Sequence, residues 1–194
     1  LQDEYDENDS EIETVARDCI GTTVGYILEW FGIPIDVEEA IRDAAAPGLD
    51  RERLQRRLAG IAAREFGRRS SRTGRTALRY LGGPTCKGVV ARFDTVQAQC
   101  PKVYEIQDSY GLSAEALGTL HRAAAAAGHD TVACPDPDRP NALLHLLLPK
   151  LGVAFVTLRG RQHFPGETYR RIHLDRLVDE KRLGRGRLRF TRRV

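Results

Sequence analysis

The residues between Gln107 and Ala114 are the ones whose types and spacing bear on chemistry, because a strand pattern gives way there to a helix pattern. Asp108-Ser109-Tyr110-Gly111-Leu112-Ser113 follows Lys102-Val103-Tyr104-Glu105-Ile106-Gln107 and precedes an Ala/Leu run, Ala114 to Ala127. A tight turn from a parallel strand into a helix aims backbone N–H groups and the positive end of the helix dipole at one spot. Such a corner is an anion site by geometry. A phosphate-cradling loop adds glycines for close backbone approach, a Lys that reaches the outer phosphates, and a Ser or Thr that holds Mg²⁺, in the order G-x-x-x-x-G-K-[ST]. With Asp108 at the first Gly position, Ser113 takes the second, Ala114 replaces the Lys and Glu115 replaces the Ser/Thr. Only the internal Gly111 remains. The expectation is a bend, Asp108 to Ser113, that aims its amides at an anion-sized space and offers that anion no cation.

The elements that must position this corner follow from periodicity. Apolar residues from Ile12 to Phe31 recur at three- and four-residue steps and predict a helix, stopped by Gly32-Ile33-Pro34. Asp36 and Asp50 are N-cap candidates for two more helices, one running through Ala46 and one to about Phe66. The polar break from Gly67 to Gly74 is the expected domain boundary, between a helical segment at 1–66 and an α/β domain at 75–194. Ala77 to Leu81 and Gly88 to Phe93 read as short strands or a hairpin split by a turn at Gly82-Gly83-Pro84, and Asp94 to Gln99 as helix. Strand Lys102 to Gln107, helix Ala114 to Ala127 with Gly128 as its C′ residue, and strand Asp130 to Cys134 make a βαβ unit, hence a parallel sheet. Leu143 to Leu148 is an apolar run that Pro149 interrupts. Gly152 to Thr157 is apolar throughout, as expected of a strand covered on both faces. Tyr169 to Leu174 reads as one more strand and Asp175 to Leu183 as a short helix.

Composition bounds the function. The chain has 194 residues, 41% hydrophobic and 29% charged, which is a globular composition. No apolar run approaches the roughly 18 residues a membrane span needs. The acidic start is unlike a secretory signal, so a cytoplasmic location is expected. Leu1 is no initiator and Met is absent, which reads as a piece of something longer. Cys19, Cys86, Cys100 and Cys134 show no C-x-x-C spacing, and reduced, buried thiols are expected in place of a zinc site. The net charge of +3 hides arginine-rich stretches at 51–79 and in the tail, read as a solvated face, with a nucleic-acid partner as the rival.

From Gly82 to about Leu183 the sequence resembles the second half of a largely uncharacterised bacterial family of P-loop ATPase-like proteins built from two tandem P-loop units. The words that carry the resemblance are Gly88-Val89-Val90-Ala91-Arg92-Phe93-Asp94, Lys102-Val103-Tyr104-Glu105-Ile106, Ala126-Ala127-Gly128-His129-Asp130, Ala133-Cys134-Pro135, the run from His145 to Thr157, and Ile172 to Asp179. It implies a P-loop NTPase-like, three-layer αβα fold with a mostly parallel sheet. It establishes no cofactor, with ATP as the one candidate, and implies an intact ATPase unit, in the same or another chain, as partner. It also marks Asp108, Ser109, Tyr110, Gly111, Leu112 and Ser113 as the nucleotide-binding loop, in degenerate form.

The departures from the motif decide the expected function. Loss of the Lys removes the charge that holds the transferred phosphate. Asp108 and Glu115 add negative charge where phosphates would sit. At about 4 Å and an effective dielectric of about 20, one such clash costs about 4 kcal/mol, roughly a thousandfold in affinity. The strand Val153 to Thr157 carries no acid for Mg²⁺. A non-hydrolysing regulatory or structural unit of an ATPase is therefore expected, with no catalytic residues and no metal site. An atypical ATP-binding ATPase and an arginine-rich nucleic-acid-binding module are the alternatives. His145 reads as a core histidine and His163 as a loop residue. Asp136 and Asp138 read as parts of a rigid Pro/Asp turn, and Asp175 and Asp179 as helix-capping acids. Ser113 lacks the partners of a nucleophile.

Overall fold

The computed structural model describes residues 37–67, 71–85, 88–137, 139–158 and 163–179. The helix expected over residues 11–31 lies outside them, as do Cys19, Cys86 and Asp138.

Two helices lead into the sheet. Helix α1, Val37–Ala45, is followed by a 3-10 turn, Ala46–Gly48. Helix α2, Arg51–Glu65, starts where the Asp50 carboxylate accepts the Arg53 N–H at 2.9 Å, the N-cap the sequence marks. Leu54, Leu58 and Ile61 bury one stripe of α2, followed by Phe66. The strands are β1 (Thr76–Leu78), β2 (Gly82–Thr85), β3 (Gly88–Ala91), β4 (Lys102–Gln107), β5 (Thr131–Pro135), β6 (Leu143–Leu148), β7 (Val153–Leu158) and β8 (Arg170–His173). Helix α3 is Phe93–Gln99 and α4 is Ser113–Ala126. Gly128 follows α4 at φ 86°, the left-handed C′ conformation that glycine takes without a Cβ penalty.

Six strands form one sheet in the order β1-β5-β6-β7-β4-β8. All are parallel except β6, which runs antiparallel between β5 and β7. The protein is thus α/β with a mostly parallel sheet. β4 and β5 are parallel, as the βαβ reading requires, but β6 and β7 stand between them. The run Leu143–Leu148 supplies the inserted strand. Its direction follows from the short 3-10 turn Pro149–Leu151, since a parallel return needs a crossover of a dozen or more residues.

Side chains alternate across the sheet into two cores. Tyr104, Ile106, Leu146, Leu148 and Phe155 pack with α2 and α4 on one face. Val103, Leu147, Ala154, Val156 and Leu158 pack with Val96 of α3 and Phe164 on the other. β7 is buried along its whole length, as expected. Cys100 and Cys134 are free, buried thiols, and burial pushes each up to about 11.

Three boundaries differ from the sequence reading. Gly67–Gly74 is not a domain boundary, because α2 before it and β1 after it belong to one compact unit, and α2 shares its core with the sheet. Gly82-Gly83-Pro84 is not the turn of a hairpin. These residues are strand β2, paired antiparallel with β3, while β1 joins the large sheet beside β5. That hairpin falls in a separate compact unit. The helix expected from Asp175 is a 3-10 turn, Asp175–Leu177, after which Val178 bridges to Leu49.

Candidate functional site

The corner after β4 lies at the carboxyl edge of the sheet with a parallel neighbour on each side. Gln107 stands opposite Leu158 of β7 and His173 of β8. The ladder continues past the strand: Asp108 N–H donates to Leu158 O at 3.1 Å, and Leu174 N–H donates to Gln107 O at 3.0 Å. From here the chain leaves β4 toward β5 on one side, whereas β7 leads to β8 on the other.

The six predicted site residues form the turn there, and carboxylates already engage the amides of three of them, Ser109, Tyr110 and Ser113. Asp108, only 2% exposed, accepts the Tyr110 N–H at 3.2 Å and the Ser113 N–H at 2.6 Å. Asp175 takes Ser109 twice, from N–H at 2.9 Å and from Oγ at 2.8 Å. Gly111 has φ 72°, the left-handed conformation that lets the chain double back into α4. Leu112 and Ser113 are buried. At the first turn of α4, Glu115 pairs with Arg51 at 3.3 Å. Asp175 is therefore a loop-holding residue, not the helix cap expected of it, and Asp179 instead donates its N–H to Gly48 O at 2.9 Å.

Two arginines from distant segments pack near the corner, and one of them, Arg139, brings a guanidinium nitrogen to it, where no cation was expected. A Cβ placed on Gly111 would stand 3.9 Å from Arg139 Nη2 and 3.9 Å from Arg42 Cβ. Arg139 is held by Asp136 through Nε at 3.2 Å and Nη2 at 3.1 Å. Arg42 pairs with Glu39 at 3.6 Å, and its Nη1 is buried without a hydrogen-bond partner. Neither was legible as a loop neighbour, because α1 and the β5–β6 turn are far from residue 111 in the chain.

The other candidates are structural. His145 is buried, and its Nδ1 accepts the Thr157 N–H at 3.2 Å, as a core histidine should. His163 is exposed, with Nδ1 at 3.8 Å from Glu105. Asp136 closes the turn before β6. Two buried carboxylates escaped the sequence reading. Glu105 faces Arg171 at 3.3 Å and Gln107 at 3.1 Å. Glu65 accepts from Tyr104 Oη, Lys102 Nζ at 3.0 Å and Arg64 Nε at 3.1 Å. Burial works against the charged form of Glu65, but these three donors outweigh it and hold its carboxyl below the usual range. Burial first, then the bond to Glu65, pushes the Tyr104 hydroxyl up to about 12. The signal that would have found both acids is their place in otherwise apolar patterns. Among the described residues no group of three or more His, Cys, Asp or Glu is placed to hold a metal, and no helix is long and apolar enough to cross a membrane.

Comparison with known proteins adds little at this corner. Residues 1–44 match a family of unknown function, DUF5713, and so end before α2. No curated protein and no solved structure matches the chain.

Proposed function

We propose that this chain is a P-loop NTPase-like unit whose phosphate loop is filled by its own carboxylates, and that it serves as a non-hydrolysing regulatory or structural partner of an intact ATPase unit in the cytoplasm. The observation that carries this reading is the capture of the Ser109, Tyr110 and Ser113 amides by Asp175 and Asp108. In a working phosphate loop, amides at such a corner receive phosphate oxygens. Here an arriving triphosphate would have to displace two carboxylates and then meet Glu115. The placement of β4 between parallel neighbours and its exit into α4 support the P-loop-like fold. β7 ends in Thr157 and Leu158, with no acid for Mg²⁺.

A second reading, an atypical ATP-binding ATPase, draws on Arg42, whose unpartnered Nη1 lies in the residue that packs beside Gly111. ATP hydrolysis by the purified chain separates the two. The first reading expects phosphate release indistinguishable from a heat-inactivated control at millimolar ATP and Mg²⁺. Release above that control, lost in an Arg42→Ala variant, would replace it with the second.

A further inference from the structure

The strongest unassigned feature lies away from the loop, where α2 faces the edge strand β8. A cavity of about 320 Å³ opens there, and Arg56, Arg57 and Arg64 of α2 line it together with Arg170 and Arg171 of β8 and Arg176 of the following turn. Tyr104, Ile61 and Ile172, all three buried, also line it. The size is at the lower end for small-ligand sites.

The charge of this cavity is not balanced from within. Arg56 has Glu52 at 3.7 Å, Arg64 has Glu65 at 3.1 Å and Arg171 has Glu105 at 3.3 Å. Among the described residues no carboxylate pairs with Arg57, Arg170 or Arg176; Arg170 instead lies over the Tyr169 ring at 5.3 Å. Arginines on a plain solvated surface spread out or alternate with acids. Here two separate segments, 56–64 and 170–176, converge on one concavity with three cations to spare. Guanidinium forks match phosphate oxygens in pairs, and several together favour a ligand with several charges.

We propose that this cavity is a binding site for a ligand bearing two or three phosphate groups. The source of those groups is a small polyphosphate ester or a nucleic-acid backbone, which present the same oxygens. The site is independent of the phosphate-like loop. The α2 arginines supply one wall, β8 and Arg176 the other, and His173 also lines the cavity.

The test is a titration of the whole chain with inorganic tripolyphosphate by calorimetry, and with a fluorescent oligothymidylate by anisotropy, at low and moderate salt. The triple variant Arg57→Ala/Arg170→Ala/Arg176→Ala is compared with Arg53→Ala/Arg79→Ala/Arg122→Ala, which removes equal charge outside the cavity. Binding that weakens at least about tenfold in the first and less than about twofold in the second is the expected result. If tripolyphosphate binds, the small-ester source is supported; if only the oligonucleotide does, the backbone source is supported. A second readout needs no variant: backbone amide signals of Arg170–His173 shift with the bound probe while those of Ser109–Ser113 stay. Absence of binding by either probe, equal weakening in both variants, or shifts confined to Ser109–Ser113 would overturn the proposal.

Discussion

Replacing Asp108 by Ala removes a carboxylate that is 2% exposed and leaves two backbone donors, Tyr110 N–H and Ser113 N–H, without their acceptor. Hydrogen bonds to a charged group contribute about 1.5–3 kcal/mol each, and a buried donor left unmade costs about 1–3 kcal/mol. The Ser113 bond, at 2.6 Å and buried, belongs at the upper end; the 3.2 Å Tyr110 bond belongs at the lower end. Water entering the emptied space offsets part of the loss. The expected destabilisation is about 2–4 kcal/mol in urea unfolding followed by circular dichroism, with an unchanged slope against denaturant. Asp108→Asn keeps one acceptor oxygen and is expected to lose about half as much. Because the freed amides form an anion site, 50 mM inorganic phosphate should raise the midpoint of Asp108→Ala and leave the parent protein unmoved, relative to chloride at equal ionic strength. A loss below about 0.5 kcal/mol in Asp108→Ala, or an equal phosphate effect on both proteins, would refute the idea that this carboxylate fills the loop.

Gly111→Ala should cost about 1–2 kcal/mol in the same assay. Its φ of 72° strains any L side chain, while the nearest atom to an added Cβ is 3.9 Å away, so the effect is conformational and not steric. Glu65→Gln should change how stability depends on acid. The folded-state carboxyl of Glu65 lies below its ordinary value of 4.5, so its contribution is full above pH 4.5 and is lost as the pH falls through the lower folded value. The parent protein should therefore lose stability more steeply than the variant below pH 4.5 in acid unfolding monitored by circular dichroism, and parallel curves would contradict the assignment.

Local signals were read well where the chain satisfies itself nearby. Asp50 as N-cap, the Leu54–Leu58–Ile61 stripe, Gly128 as C′ residue and the fully apolar β7 each follow from residues within a few positions. β6 was not read, because a six-residue apolar run has no period that separates strand from helix. The four-residue link from Leu148 to Val153 held the missing information, since it is too short for a parallel return. The corner at Asp108 was legible as a tight turn from a parallel strand into a helix. Its acid was read as a repulsive charge, when it is an acceptor turned inward on amides two and five positions ahead. Asp175, 66 positions from Ser109, and Arg42 beside Gly111 are contacts that only the assembled sheet creates. The same holds for the arginines of α2 and β8, visible as separate runs and joined only by packing.

The most direct test of the central claim is a ¹H–¹⁵N spectrum of the intact chain titrated with ATP and Mg²⁺, following the amides of Ser109, Tyr110 and Ser113. With Asp108 and Asp175 holding these donors, the three signals should stay in place up to about 5 mM nucleotide, and those of Tyr110 and Ser113 should move when phosphate is added to Asp108→Ala. Saturable shifts of the three amides in the parent protein at submillimolar ATP would show that the loop is open to nucleotide and would contradict the account.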